Sequence, residues 1–153
     1  IWLVMEFKII SFGKFPKISP YKELFNNYKK RITHKVNLIE LKNVINSNSK
    51  IGNENAIISK YNNVSQKFII LDKQGLNISS QKLSKYINNK IQNRYKKMIF
   101  FIGGPDGLSS NLVGSKTCFS FGNQTWPHLL VRVMLIEQIY RSLCIINSHP
   151  YHK

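Results

Sequence analysis

Acidic residues are scarce. Seven Asp and Glu stand against 23 Lys and Arg in 153 residues, leaving a formal net charge of +16. A surface so far from neutral points to a polyanion, nucleic acid above all. Part of that charge is compositional, because the chain is rich in Asn, Ile, Lys and Ser, as AT-rich coding produces. Cysteine is equally sparse. Cys118 and Cys144 each lie in an apolar stretch with no C-x-x-C pair or His/Cys cluster, so no zinc site is expected and buried free thiols are favoured over a disulfide. No apolar run approaches the ~20 residues of a membrane span. No Pro- or Gly-rich linker and no internal repeat divides the chain. One domain is expected over 5–153, large enough to form a core without metal or disulfide. Residues 1–4 precede Met5, which opens a convincing strand, and they are expected to be an upstream extension. No cleavage-site pattern follows them, and a cytoplasmic location is expected.

What is present alternates strand-like and helix-like patterns, the signature of an α/β fold with a mainly parallel sheet. Strands are expected at 5–12, 36–41, 67–72, 98–102 and 117–121. Ser19-Pro20 offers a cap and a first-turn proline for a helix over 20–31, with Tyr21, Leu24, Phe25 and Tyr28 on one face. Ser79 or Ser80 caps a helix to about Arg94, with Leu83, Ile87 and Ile91 as its core stripe. The stretch 43–64 has little pattern and is expected to be mobile, with a short helix possible from Glu54 to Tyr61. Asn111 to Ser115 is expected to be helical. A last helix, from about His128 to Asn147, is apolar around most of its circumference and is expected to be buried on more than one side, partly by a second subunit.

The fourth of these strands ends in Ile102-Gly103-Gly104-Pro105-Asp106-Gly107. A Walker loop would need Lys and Ser/Thr after its last glycine, where Leu108 and Ser109 stand, and the Rossmann spacing is also absent. Alone, the motif reads as a tight turn. Two other strand ends carry turn-forming residues, at Leu71-Asp72 with Gly75 and at Phe121 to His128. Ligands of open α/β sheets sit beyond such carboxyl ends. With no cationic side chain expected in the loops, backbone groups and apolar walls there suit an adenine and a sulfonium better than a triphosphate. At the chain's end, His149-Pro150-Tyr151-His152-Lys153 suits stacking and phosphate contact with RNA. Arg132 and Arg141 admit a plainer reading, pairing with Glu137 or with helix ends.

The turn after the fourth strand, the T-x-P-H-x-x-x-R-V-x-L-x-E-Q-x-Y-R pattern from Thr125 to Arg141, and the terminal His149 to Lys153 closely resemble the ribosomal RNA large-subunit methyltransferase H family. These are small SPOUT-class enzymes that methylate N3 of a pseudouridine. The resemblance covers essentially the whole chain from Met5. It implies a parallel-sheet SPOUT fold with a C-terminal trefoil knot, an exception to the rule against knots. It also implies a homodimer that binds S-adenosylmethionine and acts on ribosomal RNA in the assembled ribosome, without metal or membrane. By position in the motifs, Leu71, Gly104, Phe121, Gly122, Asn123, Gln124, Thr125 and Trp126 match the cofactor loops. His128, Arg141 and His152 match positions around the target nucleotide and are the candidate catalytic residues, with the two histidines as candidate bases and Arg141 as stabiliser of the developing anion. Tyr151 and Lys153 match positions around the target nucleotide, and Arg132 is a further candidate for contact with the RNA. Gly122 stands where many relatives carry serine, Trp126 where they carry Phe or Leu, and Lys153 replaces a terminal Arg without its planar fork. The rival expectation is an RNA- or ribosome-binding protein of the same fold that has lost catalysis.

Overall fold

The computed structural model describes residues 4–42, 53, 56–57, 59–61, 63–103 and 116–153. Its elements are β1 (Glu6–Phe12), α1 (Pro20–Arg31), β2 (Lys35–Leu41), β3 (Gln66–Asn77), α2 (Ser80–Gln92), β4 (Lys97–Ile102), β5 (Thr117–Ser120) and α3 (His128–Ile146). The strands form one sheet in the order β2-β1-β4-β3-β5, and every pairing is parallel.

Both faces of the sheet are covered, which explains the near-continuous apolar sequence of the inner strands. On one face Phe7, Ile9, Ile69, Met98 and Phe100 pack under the three helices, meeting Phe25, Leu83, Ile87, Val133 and Ile136. On the other, Ile10, Phe68, Ile70, Ile99 and Phe101 pack with Tyr61 and Ile57 from the helical residues that precede β3. The rest of 43–64 and the expected helix at 111–115 lie largely or wholly outside the described residues. So does Gly104. The expected knot depends on the connection 104–115, which also lies outside them.

Local chemistry sets the helix starts. Ser19 Oγ accepts from the Lys22 N–H and Pro20 occupies the first turn, while Ser79 Oγ accepts from the Lys82 N–H. Phe25, Leu83 and Ile87 are buried as the stripes predict, but Leu24 is 46% exposed. It borders a groove of about 480 Å³ between α1, α2 and α3. Cys144 is buried and Cys118 half-buried, and both are free thiols. Burial pushes the Cys118 thiol up to about 11, so it stays protonated and unreactive near neutrality. Among the described residues, no helix is long and apolar enough to cross a membrane.

One strand differs from the sequence reading. β3 does not end at Asp72. Leu71 and Leu76 both pair with Phe119, so residues 72–75 make an excursion and the strand then resumes to Asn77. The Gln74 N–H donates to Asp72 Oδ1 and shapes the excursion as an Asx turn. Gly75 then returns against β5 so closely that a Cβ there would lie 2.6 Å from Cys118 Sγ.

Candidate active site

Three strands converge on a cavity of about 340 Å³, a size suited to a small cofactor. β3 contributes Leu71 and its excursion, β4 contributes Ile102 and Gly103, and β5 contributes Ser120 and the loop behind it. The apolar wall includes Phe121, Trp126 and Val131; Gln124, Thr125 and His128 add polar groups. Three local hydrogen bonds hold the loop. Ser120 Oγ donates to the Gly122 carbonyl at 2.9 Å and accepts from the Gly122 N–H at 3.1 Å. Trp126 Nε1 donates to the Phe121 carbonyl at 3.4 Å. Gly122 has φ +107, a conformation that disfavours any side chain, so a serine would be strained in this loop conformation.

Leu71, Phe121, Gly122, Gln124, Thr125 and Trp126 therefore share one wall system, while Asn123 is exposed and outside the lining. One expectation is corrected. The loops do carry a cation, because the β3 excursion places Lys73 beside Asp72 in the lining. Lys73 and Val131, also in the lining, were legible only as neighbours of the motif residues.

Arg132 is also corrected. Where contact with RNA was expected, its side chain is fully buried. Its Nη1 donates to Glu40 Oε2 on β2 at 3.0 Å, and its Nη2 donates to the carbonyls of Phe12 and Gly13, each at 2.8 Å. The guanidinium also lies over the Phe15 ring, 4.7 Å from its centroid. Burial pulls its pKa below the ordinary arginine value and Glu40 opposes that pull. The plainer reading of this arginine holds in kind, with Glu40 rather than Glu137 as partner. Glu40 was missed; its only signal was a carboxylate within an otherwise apolar strand.

The remaining site residues gather at the far end of α3. Glu137 Oε1 accepts from Arg141 Nε at 3.0 Å, from Arg141 Nη2 at 2.6 Å and from the Tyr151 hydroxyl at 3.0 Å. Glu137 Oε2 accepts from Gln138 Nε2 at 2.8 Å, and Gln138 Oε1 accepts from Ser80 Oγ at 2.7 Å. Arg141 Nη1 lies 3.2 Å from His152 Nδ1 and its guanidinium covers the Tyr151 ring. Tyr151 also reaches the Tyr28 hydroxyl and packs edge-on against Tyr140. The Glu137 contact raises the Arg141 pKa, and burial with these hydroxyl and carboxylate partners raises that of Tyr151, so both keep their protons at neutral pH. Lys153 is exposed.

His128 and Arg141 are 13 positions apart on one helix, about 20 Å along its axis. The cavity and the tail cluster are therefore separate within one chain. The groove between the helices runs from Phe121, in the cavity wall, to Tyr28 and Glu137.

A family model described as "Predicted SPOUT methyltransferase" matches residues 5–152. A protein of Mycoplasma capricolum subsp. capricolum is 42% identical over 97% of this chain and 100% of its own length. One of Clostridium botulinum is 36% identical, with 97% and 100% covered, and one of Erythrobacter litoralis is 33% identical, with 97% and 99% covered. All three carry the name "Ribosomal RNA large subunit methyltransferase H".

Proposed function

The chain belongs to the SPOUT methyltransferase family, and on that premise we infer that it methylates large-subunit ribosomal RNA at N3 of a pseudouridine, with S-adenosylmethionine as donor. The observation that carries this reading is the cavity between the β3 excursion and the ends of β4 and β5. Its apolar walls fit a flat base, and the carbonyl and N–H groups of its loops fit an amino-acid moiety. Asp72 and Lys73 supply opposite charges at the rim. When bound, S-adenosylmethionine supplies an electrophilic methyl group. The protein's part is to hold the target nitrogen in line with it and to take up the proton that nitrogen loses.

The charge of +16 and the Tyr151, His152 and Lys153 tail suit an RNA target, presented by the assembled ribosome in the cytoplasm. Two observations support a homodimer. The groove between the helices is walled by Leu24, Ile78, Leu83 and Met134, an apolar surface for a second copy. The ~20 Å between His128 and Arg141 separates the cofactor cavity from the tail of the same chain, so a partner's tail would complete the site.

Calorimetry should register binding of S-adenosylmethionine, and ribosomes lacking the modification should accept labelled methyl from it. Absence of binding would leave only the rival, an RNA binder without catalysis. Mixed dimers pairing a His128→Ala protomer with a His152→Ala protomer should recover activity that each variant alone lacks. Failure of every mixture to recover it would overturn the shared site.

A further inference from the structure

Two histidines stand as candidate bases, and their hydrogen bonds separate them. His152 Nδ1 faces Arg141 Nη1 at 3.2 Å. A guanidinium has only donors, so that nitrogen is an occupied acceptor, and Nε2 is engaged by the Gln81 side-chain amide at 3.4 Å. In this arrangement His152 has no free lone pair with which to accept a proton.

His128 is the reverse case. Its Nε2 makes a short hydrogen bond with the Phe12 carbonyl, and a carbonyl can only accept. Nε2 therefore bears the hydrogen. Arg132 Nη2 lies 3.2 Å from the same nitrogen, but its two hydrogens already go to the Phe12 and Gly13 carbonyls. The neutral ring is thus the Nε2–H tautomer, with the lone pair on Nδ1, and the ring lines the cofactor cavity.

We propose that His128 is the group that accepts the proton of the target nitrogen, at Nδ1, and that Arg132 is the positioning residue that fixes its tautomer. Arg132 anchors the Phe12–Gly13 backbone, and that backbone holds His128. Glu40 completes the clamp, since its Oε2 accepts from both Arg132 and the Phe15 N–H. The Arg132 side chain is fully buried, and among the described residues its Nε has no partner, a cost consistent with a geometry held for function. As the methyl–sulfur bond breaks, its electron pair stays on sulfur. The target nitrogen uses the pair freed by its N–H to form the new methyl–nitrogen bond, and its proton passes to Nδ1. His128 becomes imidazolium and returns the proton to water after product release.

This assignment rests on the methyl-transfer reading, and the tests separate the two. Nitrogen NMR of the ¹⁵N-histidine-labelled protein, without cofactor or RNA, should show His128 protonated at Nε2 and bare at Nδ1. Protonation at Nδ1 in the neutral ring would overturn the proposal even if the protein methylates ribosomes normally. Arg132→Met should blur that signature and lower kcat about 10- to 100-fold with little change in the KM for S-adenosylmethionine. Glu40→Gln, which keeps the arginine and an acceptor for it, should shift both readouts less and guards against a variant that fails to fold. Added imidazole should restore part of the activity of His128→Ala and none to His152→Ala; the opposite pattern would move the base to His152. If the wild-type protein transfers no methyl while the NMR signature holds, the function reading fails and the tautomer assignment stands.

Discussion

Glu137→Ala is expected to lower methyl transfer about 100-fold while leaving S-adenosylmethionine affinity nearly unchanged. One carboxylate holds the whole tail cluster. It takes two hydrogen bonds from Arg141 and one from Tyr151 on Oε1, and one from Gln138 on Oε2. Removing it leaves Arg141 without its counter-charge and Tyr151 without its carboxylate acceptor, so the segment bearing His152 and Lys153 loses its fixed place. The Glu137 and Arg141 side chains are 16% and 25% exposed, so solvent weakens the pair only in part. The expected stability cost is about 1–2 kcal/mol, well short of unfolding. Glu137→Gln keeps an acceptor for Tyr151 but not the charge, and its rate should fall between the two. Hydrogen exchange should show lost protection around 149–152 in the alanine variant. A wild-type rate with an undocked tail would mean that the tail's position plays no part in transfer.

Fold and site were unequally legible in the sequence, for physical reasons. The helix starts could be read because Ser19-Pro20 and Ser79 satisfy backbone donors locally, and the observed caps are those residues. The inner strands could be read because burial on both faces leaves them almost uniformly apolar, as in Met98 to Ile102. The excursion at 72–75 could not. Gly75 and Asp72 signal a turn, yet resumption of pairing at Leu76 is decided by Phe119, more than 40 positions away. The same limit hid the buried clamp. Arg132 lies within a motif pattern that resembles an RNA-facing site, while the acid that draws it inward, Glu40, is 92 positions away. By contrast Glu137 and Arg141, four apart on one helix, were legible as a pair because helical spacing alone brings them together. What helical spacing could not supply was the additional hold of Tyr151 and Gln138 on the same carboxylate.

The excursion also yields the second large effect. Gly75→Ala should destabilise the protein by about 1–3 kcal/mol and weaken S-adenosylmethionine binding about 10-fold, although residue 75 does not line the cavity. A Cβ at Gly75 would lie 2.6 Å from Cys118 Sγ and 2.8 Å from both the carbonyl carbon and the oxygen of Cys118. A thiol can rotate away, but the backbone of β5 is fixed by its pairing with β3 on either side. The strain must then move the 72–75 excursion, and Asp72, Lys73 and Gln74 form one side of the cavity. The melting temperature should drop by roughly 5 °C. Adding Cys118→Ala separates the two contacts. It relieves the clash with sulfur but not those with the carbonyl, so the double variant should recover only part of both the stability and the affinity. Complete recovery would trace the strain to the thiol alone. Wild-type melting and binding in Gly75→Ala would show that β3 returns to β5 with room to spare, and that the excursion is not held in place by this contact.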